Sequence, residues 1–128
     1  MAVREFVVRV MDVAIRARML ETATADGIWD ALAIYSTVNT WGEEVYFDTL
    51  VPACALEPGA KSIVKPGEIA FWPERGIIAI GFGPTPISVG NEIRLASPCN
   101  IFAVAVDDVT RLRGVPAGEP IAVLRADS

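Results

Sequence analysis

A chain of 128 residues that is 52% hydrophobic, with net charge -5 and a pI of about 4.6, is long enough to bury one core without staples. Its acid excess and scattered basic residues exclude a phosphate-binding stripe, so neither nucleic acid nor an anionic membrane is an expected partner. Histidine and glutamine are both absent, which removes Ser-His-Asp and Cys-His devices and imidazole-ligated metal. No metal and no cofactor are therefore expected, and any acid–base chemistry falls to carboxylates, Tyr, Lys or Cys.

The chain, residues 1–128, reads as a single domain. No apolar run approaches the roughly 20 residues of a membrane span. Arg4, Glu5, Arg9, Asp12, Arg16 and Arg18 interrupt any signal-peptide core, so a cytoplasmic location is expected. Cys54 and Cys99 have neither metal-ligand nor redox spacing. They read as small buried or half-buried residues, and a reducing cytosol argues against a disulfide between them.

In chain order, Arg4 to Met11 alternates, with Phe6, Val8 and Val10 on one face. After a turn near Asp12, Ile15, Ala17 and Met19 face inward while Arg16 and Arg18 face out. The two segments make a hairpin. The period then changes. Ile28, Ala31, Leu32 and Tyr35 recur at helical spacing, predicting an amphipathic helix near residues 24–35, capped by Thr22 or Thr24 and plugging an opening of the sheet. Val38 to Thr49 is a strand pair or one bent strand, broken by Pro52 and by Glu57-Pro58-Gly59. Strands over Glu68–Trp72 and Ile77–Phe82 follow. The second is apolar on both faces, as in a strand covered on both sides. Gly83 to Ser88 is a loop with two prolines, and an X-Pro bond there could be cis. Asn100 to Val106 is another apolar strand. Asp107 or Asp108 caps a short helix near residues 107–113, and Pro120 to Arg125 is the last strand. The tally is mainly β: about eight strands in a sandwich or barrel. Closure is favoured because open edges so apolar would aggregate.

Three stretches carry a resemblance: Val38–Phe47 (Val-Asn-Thr-Trp-Gly-Glu-Glu-Val-Tyr-Phe), Gly67–Pro73 (Gly-Glu-Ile-Ala-Phe-Trp-Pro) and Gly81–Ser88 (Gly-Phe-Gly-Pro-Thr-Pro-Ile-Ser), with Pro98–Phe102 further on. In order and spacing the chain resembles the small prokaryotic cyclophilin-like proteins of unassigned function, from about residue 4 to 125. The resemblance implies a closed, mainly antiparallel cyclophilin-like barrel with a helix over one end. It implies no established activity, and the Phe-His-Arg signature of authentic prolyl isomerases has no match. Related cyclophilin-like domains also occur in amide- and lactam-processing assemblies, so a subunit role is one expectation.

Candidate site residues follow from chemistry. Trp41 is either a pocket wall on a turn or a core aromatic. Glu44, Tyr46 and Asp48 share a strand face that either lines a pocket or meets solvent, and Glu44 is the best candidate for an acid, base or acceptor. Trp72 and Phe82 either stack on a ligand or close the core. Thr85, Pro86 and Ser88 sit on a loop stiffened by its prolines, suited to binding or to a plain crossover. Arg94 either pairs with Glu92 or serves as a catalytic cation. Asn100 opens an apolar strand and must find partners if buried. The leading expectation is a barrel that binds a small molecule or peptide without catalysis, with Trp41, Glu44, Tyr46, Trp72, Phe82, Thr85 and Asn100 around one hollow. The alternatives are a degenerate prolyl isomerase, a carboxylate-dependent hydrolase or lyase, or an assembly subunit. A homo-oligomer is compatible with all of them.

Overall fold

Alternation of apolar and polar residues does most of the building. In the computed structural model, which describes residues 3–126, β1 (Glu5–Val10) and β2 (Val13–Met19) form the expected hairpin, turning through Met11 at φ 55°. Phe6, Val8, Val10, Ile15, Ala17 and Met19 point inward, and all are buried. Helix α1 (Ala23–Ala31) follows. Thr22 caps it, its hydroxyl accepting from the Ala25 amide at 3.0 Å. Next come β3 (Ile34–Thr37), β4 (Asn39–Thr40), β5 (Glu44–Asp48), β6 (Lys61–Val64), β7 (Glu68–Trp72), β8 (Ile77–Gly81), β9 (Ile93–Ala105) and β10 (Pro120–Arg125).

The sheet order is β3-β10-β1-β2-β9-β7-β8-β5-β4, antiparallel throughout. The barrel is mainly β, as expected, and nearly closed. Its seam is crossed by one run of chain: β3 pairs with β10, β4 pairs with β5, and Val38 lies between them. Val38 ties the seam down by donating to the Glu119 carbonyl and accepting from the Gly118 amide, both at 2.9 Å. Phe6, Phe47, Phe71, Phe102, Ile69, Ile78 and Ile80 fill the interior, and Phe6 stacks on Phe102 at 6.0 Å.

Four sequence expectations need correction. The helix ends at Ala31 instead of running to residue 35, because Leu32 is extended and Ile34 is needed as a strand residue in the core. Tyr35 therefore sits exposed on β3, not on a helix face. The short helix near 107–113 is a 3-10 turn over Val109–Leu112, with the Asp108 carboxylate accepting from the Thr110 amide. Among the described residues, strands β3 and β6 bring the number to ten, against about eight expected. Finally, the Ile93–Leu95 region and the Asn100 strand are one element, β9, of 13 residues.

That long strand makes the second layer. Its C-terminal half pairs with β7 and β2 inside the barrel wall. Its N-terminal half leaves the wall, pairs with β6, and folds over the outside of β7 and β8. A smaller apolar cluster of Val64, Ala70, Ala79, Ile93, Leu95 and Cys99 is trapped there. Strand β8 is thus covered on both sides, which explains why it is apolar at every position.

Candidate functional site

Strand alternation sorts the residues of β5, β7 and β8 between the two layers. Val45, Phe47, Phe71, Ile78 and Ile80 enter the barrel. Glu44, Tyr46, Trp72, Ile77, Ala79 and Gly81 take the outer face, where the cross-strand pairs are Glu44 with Gly81, Tyr46 with Ala79 and Trp72 with Ile77. Small residues on the central strand, flanked by large rings on its neighbours, leave a depression. The N-terminal half of β9 roofs it. The result is a hollow of about 210 Å³ lined by Trp41, Glu44, Tyr46, Trp72, Arg75, Ile77, Ala79, Leu95, Ala96 and Cys99. Gly81 has no room for a side chain, because a Cβ there would lie 2.3 Å from Ile93 Cγ2.

Among the described residues, four polar side chains are buried: Thr24, Glu44, Thr85 and Asn100. Three have partners within the protein. Glu44, only 6% exposed, does not: its Oε1 is buried without a hydrogen-bond partner. Burial pushes the Glu44 carboxyl from the usual carboxylate range up to about 7. It lies close enough to Cys99 to matter there. Burial first, and the Glu44 charge second, push the Cys99 thiol up to about 12. Cys99 therefore remains a neutral thiol at pH 7 and is not an activated nucleophile. Arg75 is exposed at the rim, its guanidinium 5.2 Å from the centre of the Trp72 ring. Cys54 and Cys99 are both free thiols.

Of the residues singled out from sequence, Trp41, Glu44, Tyr46 and Trp72 share this hollow, and the others are placed elsewhere. Phe82 follows Gly81 by one residue and so falls on the barrel side, with Arg113 5.7 Å above its ring. The Thr85 amide donates to Ser88 Oγ at 2.9 Å and the Thr85 hydroxyl donates to the Arg94 carbonyl, while the Arg94 amide donates to Ser88 Oγ at 3.1 Å. Those hydroxyls staple the double-proline loop to the start of β9. Pro86 is exposed, and its bond to Thr85, open from sequence, is trans. The Arg94 guanidinium pairs with Glu92, the interpretation that needs no catalysis. Asn100 is on the opposite face of β9 from Cys99. Its Oδ1 accepts from the Glu57 amide at 2.8 Å, and its Nδ2 donates to the Ala55 carbonyl and to Thr24 Oγ1, both at 3.0 Å. It pins the 50–60 connection and α1 over the barrel end. Asp48, grouped with Glu44 and Tyr46, is exposed.

The tryptophan turn and the double-proline loop do meet, yet they enclose no common space. Gly42, at φ 61°, lies so close that a Cβ there would be 2.9 Å from the Pro84 carbonyl, Thr85 Cα and Pro86 Cδ. The Glu43 amide donates to the Pro84 carbonyl and the Phe82 amide to the Glu43 carbonyl. The loop is a buttress that sets the angle of the Trp41 turn, and the hollow opens on the other side. Gly42→Ala is expected to cost about 2 kcal/mol, from the left-handed backbone together with the backbone contact. It should also shift the Trp41 indole resonance. Urea melts and an indole N–H spectrum would check both, and a loss below about 0.5 kcal/mol would mean the two segments are not packed as described.

Sequence reasoning missed Arg75, Ile77, Ala79, Leu95, Ala96 and Cys99. Alternation from Trp72 and Glu44 would have found Ala79. The β9 residues had no local signal, because their place depends on the strand folding back.

The cyclophilin-like family model matches residues 4–124. A hypothetical protein of Archaeoglobus fulgidus, whose structure was determined in solution, superposes with a TM-score of 0.80 at 36% identity, covering 96% of this chain and 95% of that one. No curated protein matches.

Proposed function

Because this chain belongs to the cyclophilin-like family, whose fold alone assigns no activity, we propose that it is a binding barrel. It takes a small molecule or a peptide segment into the hollow between β5, β8 and the folded-back part of β9, and it catalyses nothing. One observation carries this reading: Glu44 Oε1 is a buried acceptor with no partner, in a hollow lined mostly by rings and aliphatic groups, with Arg75 at the rim and the Cys99 thiol on β9. A mainly apolar concavity with one placed polar group is the usual form of a ligand site. Buried polar groups are otherwise nearly always satisfied, so an occupant that donates to Glu44 completes the structure. Two free cysteines suit a cytoplasmic setting.

Prolyl isomerisation is disfavoured, because Arg94 is held by Glu92 and does not line the hollow. A second reading has a specific observation behind it. A carboxyl titrating near 7 is tuned for proton transfer at neutral pH, so Glu44 is the residue a hydrolase or lyase would use here.

A fragment screen by thermal shift, mapped by amide and indole NMR, tests the proposal. Hits are expected to move the Trp41 and Trp72 indole signals and to lose affinity in Trp72→Ala, with no turnover. Hits that map only to other surfaces would overturn it. Turnover that disappears in Glu44→Gln would establish the second reading instead.

A further inference from the structure

The hollow is small and its chemistry is lopsided. At about 210 Å³ it lies below the ~300–1,000 Å³ typical of drug-sized sites, which limits an occupant to roughly one side chain. Its buried polar feature is a carboxyl oxygen awaiting a donor. Around it stand Trp41, Tyr46 and Trp72, with Ala79 and Leu95 completing the apolar lining.

Resting on the ligand-binding reading above, we propose that the hollow takes a protonated primary amine on a short apolar stem, such as a lysine-like side chain or a free alkylamine, with the ammonium group against Glu44 Oε1. An anionic head group would meet the Glu44 carboxylate and is repelled. A neutral donor satisfies the hydrogen bond but leaves a buried charge uncompensated. An ammonium group does both, and it also gains from neighbouring aromatic rings. Its stem covers Ala79 and Leu95, as lysine stems cover apolar surface elsewhere. Trp72 already takes a cation at the rim, where Arg75 lies over its ring. Arg75 is exposed and solvated, so its repulsion of a buried ammonium is screened.

The arrangement makes binding depend on pH. The titratable or charged side chains sharing the hollow with Glu44 are Tyr46 on the same strand, Cys99 on β9 and Arg75 on the β7–β8 turn. Burial keeps the Cys99 thiol neutral at pH 7, so Glu44 sets the dependence. Amine binding requires its ionised form, and affinity should rise as pH increases through about 7.

The test titrates n-butylamine, 1-butanol and butyrate into the intact protein at pH 8, following the Trp41 and Trp72 indole N–H signals. Butylammonium is expected to saturate both signals at least about tenfold more tightly than butanol, with butyrate weakest. Glu44→Gln should remove the preference for the amine while leaving butanol binding in place. If butanol or butyrate binds as well as the amine, the amine assignment is overturned while the hollow remains a ligand site. If none of the three moves either indole, the hollow is not a site and both readings fail.

Discussion

Glu44→Gln is expected to raise the stability of the protein at pH 8 by about 3 kcal/mol and to change it little at pH 4. The Glu44 carboxyl titrates at about 7 in the fold, against 4.5 for a free glutamate. The folded state therefore holds a proton that the unfolded chain releases between those values. Stability from this group is fully present below pH 4.5, falls as pH rises toward 7, and is gone above it. The difference in proton binding, integrated over the window, comes to about 3 kcal/mol. Gln has the same shape and no charge to desolvate. The rest of the acid–base profile runs the other way. Arg16, and then Arg18, hold the Glu5 carboxyl below the usual range, Arg94 does the same to Glu92, and the Thr110 hydroxyl and amide to Asp108. Those groups contribute above the usual carboxylate range and lose their contribution as pH falls. They are common to both proteins, so they cancel in the difference between variant and wild type. Urea unfolding of both proteins from pH 4 to pH 8 measures that difference. Parallel curves across the window would show that Glu44 is solvated and that the hollow is wet.

Asn100→Ala should cost about 3 kcal/mol, and most of that cost comes from the partners it abandons. Asn100 is fully buried and serves four groups from two other segments: the Glu57 amide, the Ala55 carbonyl, Thr24 Oγ1 and, at 3.9 Å, Cys54 Sγ. Removing it strands a backbone donor and a backbone acceptor in a part-buried place, each worth ~1–3 kcal/mol. Thr24 keeps its bond to the Glu57 carboxylate at 2.9 Å, so α1 and the connection stay loosely joined. The Glu57 amide should change from slow to fast hydrogen exchange while the core strands keep their order of protection. Asn100→Asp should be no better, since it places an anionic oxygen against the Ala55 carbonyl. A loss under about 1 kcal/mol in Asn100→Ala would mean that water takes over these bonds. The Trp41 and Trp72 signals should be unmoved, because Asn100 faces away from the hollow.

How each site residue was legible follows from the distance over which its surroundings are set. Glu44 and Tyr46 were legible because one strand's alternation puts them opposite Val45 and Phe47. Trp72 was legible for the same reason beside Phe71. Thr85 and Ser88 looked available because a rigid loop rich in hydroxyls suits a ligand, but the same geometry suits the backbone of β9, which arrives first. Asn100 and Cys99 were exchanged in role. Sequence shows that neighbours on a strand face opposite ways, but not which face meets the hollow. The helix overran because Ile28, Ala31, Leu32 and Tyr35 keep a helical period across a boundary set by the barrel seam.

What the amino-acid sequence determined by itself is therefore the set of local choices: the β1–β2 hairpin, the apolar-on-both-faces strand β8, the caps to within Thr22 or Thr24 and Asp107 or Asp108, and the sorting of β5 into a barrel face and an outer face. These depend on residues within a few positions of one another, where side-chain period and capping chemistry act directly. Only the tertiary structure decided that β9 leaves the wall halfway and folds back over Gly81 and Ala79. That one long-range contact turns an outward-facing glutamate, which sequence alone could assign to solvent, into a buried carboxyl without a partner. Desolvation is set by everything that approaches a group from any point in the chain, and no local pattern encodes it.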